Sequence, residues 1–175
     1  VDEVPFASHL PFLVEPDAGS NGYLWGHMAR ANPHWPTLAG EVLVIFPGPH
    51  AYISPAWYEE DNTVPTWNYI AVHVYGKITL THAPDELRKI VEDSVHYYES
   101  NRPKPWVLDS SADYVSKMLK GIVGFKIEIT HLEGKWKLNQ NHSAARQRRV
   151  ANALKQLSDQ ASQEIANLMA ERLTP

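Results

Sequence analysis

The stretch Ile122–His131, IVGFKIEITH, alternates apolar and polar residues. Val123, Phe125, Ile127 and Ile129 fall on one face, and Lys126, Glu128 and Thr130 on the other. Successive side chains of an extended chain point to opposite faces, so this is the pattern of a strand with one buried side. Such a strand needs partners, and the rest of the chain supplies them. Residues 4–14 (VPFASHLPFLV) read as a strand broken at Pro11. The turn cluster Pro16–Gly22 then predicts a hairpin with Tyr23–Met28. Pro33 blocks further pairing. Glu41–Phe46 contains the unbroken apolar run VLVIF, as expected for a strand buried on both faces. Gly48–Lys77 is read as a long aromatic loop closed by a strand over Asn68–Leu80. In that strand Tyr69, Ala71, His73 and Tyr75 oppose Ile70, Val72, Val74 and Ile78.

Three helical segments interrupt or follow the strands. Pro84, with Asp85 and Glu86 behind it, starts a helix whose stripe is Leu87, Ile90, Val91, Ser94, Val95 and Tyr98. A shorter helix is predicted from Asp109 or Ser110 to Gly121. Glu133-Gly134 reads as a turn into a short strand, Lys135–Asn139. Ser143–Leu173 reads as helical with a break at Ser158-Asp159. The order hairpin, strands, two helices, strands, helices predicts an α+β fold with a mainly antiparallel sheet. Five to seven strands would suit a small barrel.

Composition narrows the chemistry. With 175 residues, 43% of them hydrophobic, the chain is long enough to close a core without staples. It has no cysteine, which excludes disulfides, thiolate metal sites and cysteine nucleophiles. Six tryptophans and eight tyrosines favour flat-ring ligands or aromatic interfaces as well as core packing. The formal net charge of −4 argues mildly against nucleic acid as the main ligand and leaves a local basic patch open. The N-terminus has neither a basic region followed by an apolar core nor a cleavage signature, so a cytoplasmic location is the default. Because Val1 is not an initiator methionine, a further N-terminal segment is expected.

No dinucleotide fingerprint, P-loop, HExxH or GxSxG elbow occurs, so a phosphate would have to be held by side chains and strand-end amides. The run His27-Met28-Ala29-Arg30-Ala31-Asn32 is the first candidate: Arg30 offers a guanidinium fork and Asn32 an amide at alternate positions, though a solvated arginine on a turn fits the spacing too. A second cluster is Lys135, Lys137, Gln140 and Asn141, whose lysines suit an edge strand equally well. Nine histidines invite a metal reading, but none of their spacings is that of a zinc site. Ser54, His50 and Asp61 assemble a weak triad with no elbow to position the serine. Arg146, Arg148 and Arg149 open the C-terminal helix, where the helix dipole disfavours positive charge. They point either to an anionic partner or to a solvated helix face.

Four runs taken together, GHMARANPHW (26–35), FPGPHAYISPAWY (46–58), VPTWNYIAVHVYGK (64–77) and GIVGFKIEITHLEGKWKLNQN (121–141), resemble the PaiB-type FMN-binding negative transcriptional regulators. The motifs occur in the family's order along nearly the whole chain. One departure is Asn139, where the family pattern has serine. The resemblance implies a flavin-reductase-like split barrel over residues 1–142, with helices of 143–175 packed on it. It also implies a homodimer with FMN at the subunit interface. By similarity Ala7, Ser8 and His9 with Thr66, Trp67 and Asn68 would line the isoalloxazine. Lys137 and Gln140 would complete the site, and His27, Arg30, Ala31 and Asn32 would serve the phosphate end. The repressor role carries an expectation of DNA as a partner, which no motif here supports. A flavin-dependent oxidoreductase and, further off, a haem protein are the rival readings, with His73, His50 and Tyr52 as the groups available over a flavin.

Overall fold

A five-stranded sheet in the order β1-β2-β5-β4-β3 is the backbone of the α+β fold. The computed structural model describes residues 4–173. In chain order the elements are β1 (Leu13–Glu15), β2 (Tyr23–Ala29), β3 (Glu41–Ile53), β4 (Thr66–Thr81), α1 (Pro84–Glu99), α2 (Asp113–Leu119), β5 (Ile122–Lys137), α3 (Ala144–Lys155) and α4 (Gln160–Arg172). Two single turns of 3-10 helix, Trp35–Thr37 and Pro55–Tyr58, interrupt the connections. The chain divides into two units, and β3, β4 and β5 each contribute a segment to both.

The first unit takes the residues up to Leu43 and Val74–His131. Its hairpin pairs Leu13 with Trp25 and Glu15 with Tyr23, closed by Gly22 at φ 90°. A β-carbon on Gly22 would come within 2.8 Å of the Glu15 carbonyl oxygen, so the turn demands glycine on both counts. Strand β2 runs antiparallel to β5 from Tyr23↔Glu128 to Ala29↔Ile122. The period-two pattern has the expected consequence: Val123, Phe125, Ile127 and Ile129 are all buried, with Leu24 and Met28 from β2. Each such side chain contributes about 1.5–3 kcal/mol. Helix α1 buries Leu87 and Ile90, and a β-carbon at Gly124 would lie 2.8 Å from Leu87 and 2.9 Å from Ile90. Glycine there lets helix and strand approach. Val115 and Leu119 of α2 complete that cluster with Leu87.

The second unit takes Val44–His73 and the residues from Leu132 onward. Its core gathers Ile53, Tyr58, Leu138, Val150, Leu154, Ile165 and Met169. The expected break in the C-terminal helical segment is real. Ser143 accepts from Arg146 N to cap α3, and Asp159 accepts from Ser162 N to cap α4.

The structure corrects several expectations. VLVIF is not buried on both faces: Leu43 is 48% and Ile45 54% exposed, because β3 is an edge strand with one covered side. The aromatic stretch after Gly48 is less of a loop than expected, since β3 continues to Ile53 and β4 already begins at Thr66. Residues 4–12 form no strand, and pairing starts only at Leu13, beyond Pro11. Helix α2 begins at Asp113 because the Asp109 carboxylate accepts from Ser111 N and Oγ, holding that segment in a turn. Glu133-Gly134 makes no turn, and β5 runs through it to Lys137. A β-carbon on Gly134 would overlap the Trp136 ring, so this glycine gives room to an aromatic side chain.

Candidate functional site

The second unit holds a cavity of about 320 Å³, most of whose lining residues carry a hydrogen-bond donor. Tyr58, Thr66, Lys137, Asn139, His142 and Arg146 line it, and none of its lining residues is acidic. Strand pairing and turn chemistry place them. Lys137 is the last residue of β5 and Thr66 the first of β4, and Lys137 Nζ donates to Thr66 Oγ1 at 2.9 Å. Asn139 sits in the turn after β5 at φ 59°, a left-handed conformation that asparagine tolerates better than most residues. It is 3% exposed, and its Nδ2 has no partner. Tyr58, 2% exposed, likewise carries a buried hydroxyl with no partner.

His142 and Arg146 form the opposite side. Arg146 Nη1 lies 2.9 Å from His142 Nδ1. A guanidinium only donates, so Nδ1 accepts and the imidazole proton is on Nε2. Burial and then the Arg146 charge push the His142 pKa down, while Glu60 opposes. The ring is therefore neutral. Arg146 stacks over Tyr58, 4.8 Å from guanidinium carbon to ring centroid, and its Nη2 is paired with Glu60. Glu60 also takes Arg149. The hydrogen bond from Arg146, together with both arginine charges, holds the Glu60 carboxyl below the usual carboxylate range. The clash between basic residues and the α3 dipole is thus resolved by an acidic loop residue.

Buried donors without acceptors cost about 1–3 kcal/mol each. Two such donors, with an ammonium lining the same cavity, can donate to an anion or a carbonyl edge. FMN offers both, as a phosphate dianion and as the pyrimidine edge of its ring. The donor set fits it.

Other anticipated residues fall as follows. Trp67 is half-exposed and stacks on His50 at 5.6 Å. Asn68 is fully buried; its Nδ2 donates to Met169 Sδ at 3.5 Å, and its Oδ1 has no partner. Gln140 folds back on its own turn, accepting from Leu138 N and donating to the Trp136 carbonyl. Ser54 caps the 3-10 turn that begins at Pro55. In the first unit, Asn32 Nδ2 donates to Ser8 Oγ at 3.1 Å, and Ser8 Oγ lies 3.0 Å from His34 Nδ1. His9 and Ala31 are exposed. His27 is half-buried on β2, where desolvation lowers its pKa. Arg30 braces the entry to β5: Nε donates to the Lys120 carbonyl at 2.8 Å and Nη2 to the Ile122 carbonyl at 2.9 Å. Arg30 and Asn32, two residues apart in sequence, thus have different partners.

Sequence reasoning did not single out Tyr58 or His142, nor bring Arg146 to the cavity that the three residues line. The three arginines at the start of a helix were the available signal. The Asn139 departure from the family pattern was another.

Comparison with known proteins bears on what such a site holds. Residues 1–131 match the family described as "Putative FMN-binding domain". Over 172 residues the chain is 40% identical to "Protease synthase and sporulation protein PAI 2" of Bacillus subtilis strain 168, covering 97% of this chain and 82% of that protein. It is 34% identical to "Uncharacterized protein AN0679" of Emericella nidulans, covering 95% of this chain and 81% of that one. Among solved structures, the flavocytochrome Anf3 from Azotobacter vinelandii shares the fold at TM-score 0.50 and 16% identity, over 78% of this chain and 57% of that one. The lysine and asparagine of the cavity lie past the family match but inside the aligned length of the Bacillus protein. Sequence, fold and relatives agree, and the chain belongs to the PaiB-type family of FMN-binding proteins.

Proposed function

We propose that the protein binds FMN with its phosphate end in the cavity of Tyr58, Thr66, Lys137, Asn139, His142 and Arg146. The observation that carries this is the pair of buried, unpartnered groups, Tyr58 Oη and Asn139 Nδ2, beside the Lys137 ammonium. FMN supplies flavin redox chemistry when bound. The residues named here supply affinity and selectivity for the phosphate. Thr66 keeps Lys137 in place, and the neutral His142 presents its Nε2 proton without adding charge. Trp67, exposed on β4 and stacked on His50, is proposed as the flat contact for the ring system.

The biological role is proposed to be negative regulation, exercised as a homodimer and without direct contact to DNA. Two of the three arginines that open α3 are engaged by Glu60, which cancels much of the local positive potential. No described helix is long and apolar enough to cross a membrane. A cytoplasmic location is part of the same proposal.

The test compares FMN with riboflavin, which lacks only the phosphate. By fluorescence titration Lys137→Met is expected to weaken FMN by at least about tenfold, the loss of one charge-assisted hydrogen bond, and to leave riboflavin within about twofold. Equal losses for both ligands would show that Lys137 acts through the fold and would overturn the assignment of the phosphate to this cavity.

A further inference from the structure

A second cavity, of about 390 Å³, lies wholly in the first unit against α1 and α2. Its size falls in the small-molecule range. Arg30, His82, Arg88 and Lys120 wall it, Leu87 and Leu119 provide an apolar floor, and no lining residue is acidic. Of the two arginines, Arg88 keeps one nitrogen unpartnered, whereas each nitrogen of Arg30 has a contact. Arg88 Nη2 donates to Ser116 Oγ at 3.1 Å, while Nη1 is buried with no partner. Arg30 uses Nε and Nη2 on backbone carbonyls and turns Nη1 toward His82, 3.4 Å from Nδ1. Arg30 and Lys120 are solvent-exposed, so their mutual repulsion is modest, while the unpaired buried guanidinium nitrogen of Arg88 carries a desolvation cost. A bound anion offsets the concentrated positive charge of the cavity wall.

We infer that this cavity is a binding site for a small organic carboxylate with an apolar body, separate from the FMN site and occupied alongside it. The guanidinium edge of Arg88 matches a carboxylate, and Lys120 and Arg30 complete the charge. Leu87 and Leu119 take the hydrocarbon. The arrangement gives a flavin-binding regulator a place to sense a metabolic acid, which is a role the FMN site does not fill. It goes beyond the FMN reading and shares no residue with the Lys137 cavity, although the family resemblance assigns Arg30 to the FMN phosphate.

Isothermal titration of the FMN-loaded protein with 4-phenylbutyrate, 4-phenylbutan-1-ol and inorganic phosphate tests this. The acid is expected to saturate one site per chain without releasing FMN. The alcohol, which keeps the body and loses the charge, and phosphate, which keeps the charge and loses the body, are each expected to bind at least about tenfold more weakly. Arg88→Gln should weaken the acid by a similar factor and leave FMN affinity unchanged, and Lys120→Gln should do the same to a smaller degree. Absence of saturable binding, equal binding of acid and alcohol, or an Arg88→Gln variant indistinguishable from wild type would overturn the site. Phosphate binding tighter than the acid, in competition with FMN, would show that the cavity belongs to the flavin. The acid–alcohol comparison uses unaltered protein, so it decides the matter even if a variant fails to fold.

Discussion

At the scale of single residues, the charge state of His142 sets the pH behaviour of the candidate FMN site. Its imidazole is held neutral by burial and by the neighbouring Arg146 guanidinium. His27 on β2 is held neutral by burial alone. Both folded-state pKa values lie below the ordinary value near 6.5, so the unfolded chain takes up protons first as pH falls. Stability contributed by the neutral rings is complete above about pH 6.5 and declines as pH drops through that value toward the lower folded ones. Urea denaturation at a series of pH values from 8 to 5 should therefore show a falling midpoint. His142→Gln should flatten part of that fall. A variant that keeps the full slope would place the titrating group elsewhere.

At the scale of elements, two glycines carry opposite lessons about what is legible in a sequence. The strands β2, β4 and β5 can be read from their period-two patterns because burial of one face enforces that period. The helix caps at Ser143 and Asp159 likewise follow from local chemistry. Gly134 reads as a turn, yet it lies inside β5, because the reason for glycine is the Trp136 ring beside it and not a special backbone angle. Gly76 gives no local signal at all. A β-carbon there would come within 2.5 Å of both the Glu128 carbonyl oxygen and Ile127 Cγ2 across the β4–β5 pairing. Backbone cannot retreat as a side-chain tip can, so Gly76→Ala is expected to destabilise by about 1–3 kcal/mol. Thermal unfolding followed by circular dichroism measures this, and an unchanged midpoint would mean that the strands can separate at little cost. The candidate FMN site was half legible for the same reason. Lys137 and Thr66 were reached through the family resemblance, since the pattern placed neither at the strand end it occupies. Asn139 follows Lys137 by two residues but faces the cavity only through its left-handed turn, and Tyr58 and Arg146 meet them through the packing of distant segments.

At the scale of the whole molecule, the questions are what the protein contacts and in how many copies. Its net charge of −4 and the capture of Arg146 and Arg149 by Glu60 leave little driving force for DNA, whose affinity rests on released counterions. A gel-shift titration at low salt is expected to show no retardation, and a salt-sensitive shift would make direct repression the better account. For self-association the physical case is positive. Strand β3 lies at the sheet edge and exposes Leu43 and Ile45 side by side on one face. Monomeric proteins normally blunt such an edge with charge or cover it. Two exposed branched side chains two residues apart are better explained by a second copy lying against them, which returns about 1.5–3 kcal/mol per residue buried. Ile45→Lys puts a charge into that contact while leaving the covered face of β3 untouched. Light scattering on the unaltered chain should give a dimer mass and the variant a monomer with an unchanged circular dichroism spectrum. A variant that remains dimeric would move the subunit contact to another face and leave the exposed edge of β3 to be explained by some other partner.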